Sequence, residues 1–282
     1  MKLNEMTWKE LLDTKHTIAE RIFDGHEYPW EVLGEIGSFI ESLGSLLPES
    51  EYNKIGKNIW VHKSAKVAPT IMMAGPMIVG PGANIRHGAF LRGNVIIGER
   101  AVVGNSCEVK NAIIFDEVQV PHFNYVGDSI LGYRAHMGAG AVTSNVKSDK
   151  TLVKVHAEDG DVATGLKKFG AILGDCVEVG CNSVLNPGTV IGRNTNVYPL
   201  SSVRGCVPAD SIYKSQSDIV AKEVREEEKP EVKEEAAPEA EAAKAASEAM
   251  AAEEAPAKTE KADAPAKTAK KGTKKSSLKV VK

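Results

Sequence analysis

Between Ile55 and Ile212, aliphatic positions recur every six residues. Ile55-Gly56, Ile97-Gly98, Val103-Gly104, Leu131-Gly132, Leu173-Gly174, Val179-Gly180 and Ile191-Gly192 each open a hexad, with a small or aliphatic residue four places on. Runs such as IIGERA-VVGNSC and VLNPGT-VIGRNT share one phase. A six-residue internal period is the mark of a parallel β-helix, in which one unit cannot bury its own apolar face and stacking supplies the core. The aliphatic position faces inward, and Gly or Asn takes the corners, where positive φ is least costly. The pattern predicts a mainly β solenoid over 51–213.

Two stretches fall out of phase. Ten residues, PHFNYVGDSI (121–130), separate the hexads that end at Val120 and begin at Leu131. A longer run from Ser144 to Phe169 precedes the return of hexads at Ala171. Irregular backbone within a repeat forgoes ladder hydrogen bonds, and long loops in compact folds tend to carry function, so chemistry is expected at both.

Residues 1–50 follow a helical pattern. Thr7 and Glu10 have capping-box spacing. Leu11, Leu12, Ile18, Ile22 and Phe23 give one apolar stripe. Val32, Leu33, Ile36, Phe39, Ile40 and Leu43 give a second, opened by Pro29 and stopped by Gly44 and Pro48. A helical cap over the end of the solenoid is expected. Residues 214–282 are rich in Glu, Ala and Lys with few large apolar side chains, and are expected to form a largely disordered tail.

Composition narrows the class. Hydrophobic residues make up 42% and aromatics only 5%, which suits thin aliphatic layers. A net charge of −3 favours neither a nucleic-acid nor a membrane partner. No apolar run has the length of a signal peptide or a membrane span, so a cytoplasmic protein is expected. The four cysteines (Cys107, Cys176, Cys181, Cys206) contain no CxxC pair and read as reduced structural thiols.

In order and at matching spacing, the pieces VGNSCEVKNA, HFNYVGDS and GAGAVTSN resemble the acetyltransferase half of the bifunctional N-acetylglucosamine-1-phosphate uridylyltransferase/glucosamine-1-phosphate N-acetyltransferase. The resemblance is close over 88–145 and looser over 171–205. It implies a left-handed β-helix that assembles as a homotrimer with sites between subunits. It also implies acetyl transfer from acetyl-CoA to the amine of an amino-sugar phosphate, with no metal. Carried over, Arg92 and Lys110 hold the phosphate, Tyr125 contacts phosphate or sugar, and His122 is the general base. Asn145 lies near the amine and acyl donor. Backbone amides near Gly138–Gly140 stabilise the oxyanion, which places Gly140 with the donor. Two departures stand out: His136 replaces an Asn at a substrate position, and Cys181 replaces a Ser beside the acyl donor. Among Lys147, Lys150, Lys154, Lys167 and Lys168, one is expected to meet the coenzyme phosphates.

The nucleotide-binding domain of the bifunctional enzyme has no counterpart in the fifty residues before the solenoid, so a nucleotidyltransferase activity finds no visible machinery here. Two other classes compete: a zinc-dependent carbonic anhydrase of the gamma type, which needs two His five residues apart, and a non-catalytic sugar-phosphate-binding solenoid.

Overall fold

A computed structural model describes residues 1–223. Short parallel strands stack coil upon coil into two long sheets of fourteen and nine strands. Register fixes the length of each coil. Ile59 pairs with Met77 and Met77 with Val95, eighteen residues apart each time, or three hexads. Val95 then pairs with Ala112 and Ala112 with Ser129, each seventeen apart. In the second sheet Val102, Gln119 and His136 follow the same seventeen-residue step.

The stretch 121–130 is therefore no excursion, and the expectation of an irregular loop there is corrected. Gln119–His122 and Tyr125–Leu131 are strands in full register with the coil before. The coil is one residue short, and its inward position is filled by a polar residue. Asn124 is buried, and its Nδ2 donates to the carbonyls of Gly138 (2.8 Å) and Ala141 (3.0 Å) while its Oδ1 accepts from the His122 amide (3.0 Å). A buried carboxamide that satisfies three backbone groups replaces an aliphatic residue, and apolar periodicity cannot detect it.

The second interruption is a true insertion. Ile130 pairs with Ile172, forty-two residues on. The added chain folds as an antiparallel hairpin, Lys154–Ala157 with Gly160–Ala163. Val153 and Val155 are buried, and Phe169 packs on Trp30 at 5.9 Å between ring centroids.

The N-terminal segment contains short helical pieces. Thr7 caps a single α-turn (Trp8–Leu11), Pro29–Gly34 is a 3-10 helix, and Ile36–Gly44 is the one α-helix of more than two turns among the described residues. It does not cover an end of the solenoid, as the stripes suggested. It runs along one flank, from the last coils back to the first. Met6 meets Cys206, the Leu11 carbonyl accepts from the Asp175 amide, the His16 carbonyl from Asp116, and Leu33 from Asn111, and Gly44 lies against Trp60.

The sequence of that flank explains why the N-terminal segment lies over it as a strap. On the covered sheet each strand is an apolar triplet or nearly so: Met77–Val79, Val95–Ile97, Ala171–Leu173 and Thr189–Ile191 are buried at every position. Strand alternation puts the middle residue on the outer surface. Register aligns those residues as one column, Ile78, Ile96, Ile113, Ile130, Ile172 and Val190. All are 0% exposed because the strap covers them. At about 1.5–3 kcal/mol per buried aliphatic side chain, the column contributes on the order of 10 kcal/mol before ordering entropy is subtracted.

Both ends of the ladder finish in a reversed strand. Tyr52–Gly56 pairs antiparallel with Ile59–His62, and Asp218–Ala221 with Ser211–Ser215. Such strands interrupt the edge on which another copy would otherwise add. The last hairpin extends the ordered solenoid beyond residue 213, where the tail was expected to begin. The remainder of the expected tail, from 224, lies outside the described residues. All four cysteines are free, but only Cys107 is a buried core thiol. Cys176 and Cys181 are exposed, because both fall at or beside corners, Cys176 itself at φ +59. No helix among the described residues is long and apolar enough to cross a membrane.

Ile113→Ala is expected to lower stability by about 2–5 kcal/mol, because it opens a cavity between sheet and strap. Denaturant unfolding checks this, and a loss under 1 kcal/mol would show that the strap is not seated on the column.

Candidate functional site

Beside the covered flank the same sheet presents outward positions to solvent. Phe90 and Arg92, Glu108 and Lys110, and Tyr125 and Gly127 alternate with the buried Leu91, Val109 and Val126. Arg92 and Lys110 thus occupy neighbouring rungs. Arg92 pairs with Glu108 and lies 5.8 Å from the centroid of the Phe90 ring. The hydrogen bond and charge of Glu108 raise the guanidinium pKa further above its usual value. Lys110 Nζ lies 3.1 and 3.2 Å from the two oxygens of Asp128. The ring of Tyr125 lies over Gly127, where a Cβ would displace it. Burial, then the charge of Asp128, raises the Tyr125 pKa.

Asp128 ties these groups together. It is 4% exposed and has φ +50. Besides Lys110 it accepts from Asn111 Nδ2 (3.0 Å) and from Asn145 Nδ2. Asn145 also donates to Tyr125 Oη at 3.2 Å, and Asn111 to the Leu33 carbonyl at 3.1 Å. Asn94 donates to Asn111 Oδ1 at 3.2 Å. Asn94, Asn111, Asp128 and Asn145 succeed one another at seventeen residues, one per coil. Asp128 lies in the stretch where chemistry was expected but was given no role, and the Asn94–Asn111 pair was not among the expected site residues. A search of the sequence at the coil length, rather than at six, reveals them.

Around the corner at Phe123 the second sheet carries a different column. Gln119 pairs with His136 and His136 with Glu178, so three residues further on His122, Ala139 and Cys181 succeed one another. His122 and Cys181 are exposed, and no hydrogen bond engages the His122 ring among the described residues. At about 4.8 Å per coil, Cys181 stands about 10 Å from His122. Gly140 holds the corner with φ +72 against Asn182. Its amide donates to the His122 carbonyl (3.0 Å), and the Gly138 amide donates to Val179 (2.7 Å). Neither can serve an oxyanion, which corrects the broader expectation. The Ala139 amide between them has no acceptor among the described residues.

Arg92, Lys110, Tyr125 and Asn145 are therefore brought into one cluster, with His122, Gly140 and Cys181 around the corner. His136 joins neither group. Its Nδ1 lies 2.8 Å from Glu178 Oε2, on a face shared with Arg100, Glu117, Gln119 and Arg134. The histidines do not converge: His62 bonds Ser64, His87 bonds Thr70, and His136 bonds Glu178. In the insertion, Lys147 is held by Thr151 and Asp149, while Lys150, Lys154, Lys167 and Lys168 are exposed.

Residues 73–191 match the family described as the GMPPB C-terminal domain. The chain is 30% identical over 198 residues to the bifunctional protein GlmU of Methanococcus maripaludis, covering 69% of this chain and 48% of that protein. It is 35% identical over 111 residues to a bifunctional sugar-1-phosphate nucleotidylyltransferase/acetyltransferase of Sulfurisphaera tokodaii, covering 39% of this chain and 28% of that protein. The chain spans about half the length or less of these curated relatives. Among solved structures, a hexapeptide transferase family protein from Anaplasma phagocytophilum aligns with TM-score 0.39 at 16% identity, covering 60% of this chain and 81% of that one. AntD, an N-acyltransferase from Bacillus cereus in complex with dTDP and 3-hydroxybutyryl-CoA, aligns with TM-score 0.30 at 16% identity, covering 76% and 96%. Over about two thirds of its length the chain is thus similar to GlmU-type bifunctional proteins, of which it spans about half.

Proposed function

We propose that this chain transfers an acetyl group from acetyl-CoA to the amine of a phosphorylated amino sugar, with glucosamine 1-phosphate as the leading acceptor. One observation carries this reading: two cations and a phenol that suit a phosphate (Arg92, Lys110, Tyr125) stand one corner away from an exposed histidine, His122, whose neighbour on the next coil, Ala139, has an unpaired amide. Imidazole is the side chain that titrates closest to neutral pH, which suits a base. The amine nitrogen attacks the thioester carbonyl carbon as His122 takes its proton. The C–N bond forms, the C–S bond breaks, and the proton passes to the departing thiolate. The Ala139 amide donates to the carbonyl oxygen as charge develops on it. Cys181, next in that column, lies along the path of the donor, and an exposed lysine of 150–168 meets the coenzyme phosphates.

The assembly implied by the family resemblance, a homotrimer, draws support from the same corner. Phe123 is 61% exposed at φ +52 and Leu200 is 79% exposed at φ +60, in a column beside His122 and Cys181. Bulky residues in left-handed geometry cost about 1–2 kcal/mol each. Their exposure fits a surface covered by another copy, which would close the site over His122.

Within the protein the formal charges of this cluster cancel, Arg92 with Glu108 and Lys110 with Asp128. Arg92 is exposed and can exchange Glu108 for phosphate. Lys110 keeps a donor to spare beyond Asp128, because an ammonium has three.

Incubation with glucosamine 1-phosphate and acetyl-CoA should release free thiol; its absence across a panel of amino sugars at high protein concentration would sink the proposal. His122→Ala should lower kcat by about 10²–10⁴-fold while acceptor binding measured by calorimetry stays within twofold. If binding persists and the wild type itself transfers nothing, the solenoid is a sugar-phosphate-binding protein. Glu108→Gln frees Arg92 from its competitor and should tighten acceptor binding by about two- to fivefold, the range of an exposed ion pair; weaker binding would show that Glu108 contacts the acceptor itself.

A further inference from the structure

Resting on the acyl-transfer reading, and narrowing it, we infer that Asp128 is a positioning residue that turns Asn145 so that its Oδ1 faces the acceptor, making the site select a ligand with an N–H donor beside its phosphate. A carboxylate only accepts hydrogen bonds, so each carboxamide beside it must present its NH2. Asn145 gives one hydrogen to Asp128 and the other to Tyr125 Oη, so both are committed. The free end of Asn145 is then an acceptor. Tyr125 Oη, which accepts from Asn145, retains its own proton to donate.

Asp128 is held in turn. Asn111 gives its two hydrogens to Asp128 and to the Leu33 carbonyl of the strap, while its oxygen takes Asn94. With Lys110 as third donor, the buried carboxylate has every side occupied and no freedom to turn. Beside Glu108, which is taken up by Arg92, the cluster offers one acceptor (Asn145 Oδ1) and three donors (Tyr125, Lys110, Arg92). That set complements an amine a few ångströms from a phosphate.

The test is an exchange of partners. In Asp128→Asn the new NH2 must face either Asn111 or Asn145; Asn111 is fixed at both ends by Asn94 and the Leu33 carbonyl, so the NH2 faces Asn145, which relieves the clash by turning over and presents a donor to the amine. Binding of glucosamine 1-phosphate, by calorimetry, should weaken about tenfold, and KM for acetyl-CoA should stay within twofold. The double variant D128N/N145D restores a donor facing an acceptor with the same total charge, and should recover binding to within about threefold of wild type, which a merely structural role of Asp128 does not predict. Unchanged binding in D128N, or no recovery in the double variant, overturns the inference. Should D128N not fold, Asn145→Ser decides: glucosamine 1-phosphate should bind about tenfold more weakly while inorganic phosphate, held by Arg92 and Lys110, binds as in wild type; equal binding of the amino sugar overturns it. Wild-type binding without thiol release from acetyl-CoA would refute the transfer reading and leave this inference to be judged by binding alone. No binding of glucosamine 1-phosphate by the wild type overturns both.

Discussion

Coil stacking at one interstrand spacing is the constraint on which this protein depends. It turns distance along the chain into proximity in space: residues one coil apart become neighbours about 4.8 Å away, whatever lies between them. Every feature of the candidate site is a column of that kind. Arg92 and Lys110 are neighbours because their strands are adjacent rungs, and His122, Ala139 and Cys181 because theirs are. The insertion between Asn145 and Phe169 leaves this intact, because the coil resumes in register at Ala171.

Stacking alone leaves one face unsolved. The outer column from Ile78 to Val190 is as apolar as the interior and would be exposed without cover. The N-terminal strap resolves this, and its irregular form follows from the task. A long straight helix could not follow a flank and also meet backbone groups at several coils, whereas short turns can. Asp116, Asp175 and Asn111 bond strap backbone, so polar contacts fix its course while aliphatic burial provides the gross stabilisation. Asp175 shows the balance: burial raises its carboxyl pKa, while the Asp13 and Tyr133 amides and Arg193 work in the opposite direction.

Strap and site are physically continuous. Leu33 reaches Asn111, Asn111 reaches Asp128, and Asp128 holds Lys110 and Asn145. Trp30, on the same strap, packs on Phe169 at the point where the insertion rejoins the solenoid. A segment that first serves to cover apolar surface therefore also anchors the polar cluster and the base of the inserted hairpin.

Local chemistry by itself determined the repeat and the inward aliphatic positions, since the six-residue period follows from side-chain burial on each coil; His122, Arg92, Lys110, Tyr125 and Asn145 were readable as candidates only through the family resemblance. Tertiary structure decided what period and motif cannot carry. It showed that 121–130 is an ordinary coil, as short as the one before it, in which a buried Asn124 satisfies backbone groups where an aliphatic residue would merely fill space. It placed the N-terminal segment along the flank, since two apolar stripes show that a partner surface exists but not which surface it is. It separated His136 from His122, which differ in column although only one coil apart, and it revealed Asp128, whose role comes from donors one coil away on either side. Short-range patterns record what each residue must bury. Which polar groups meet depends on the register between coils, and that is settled only when the whole stack closes.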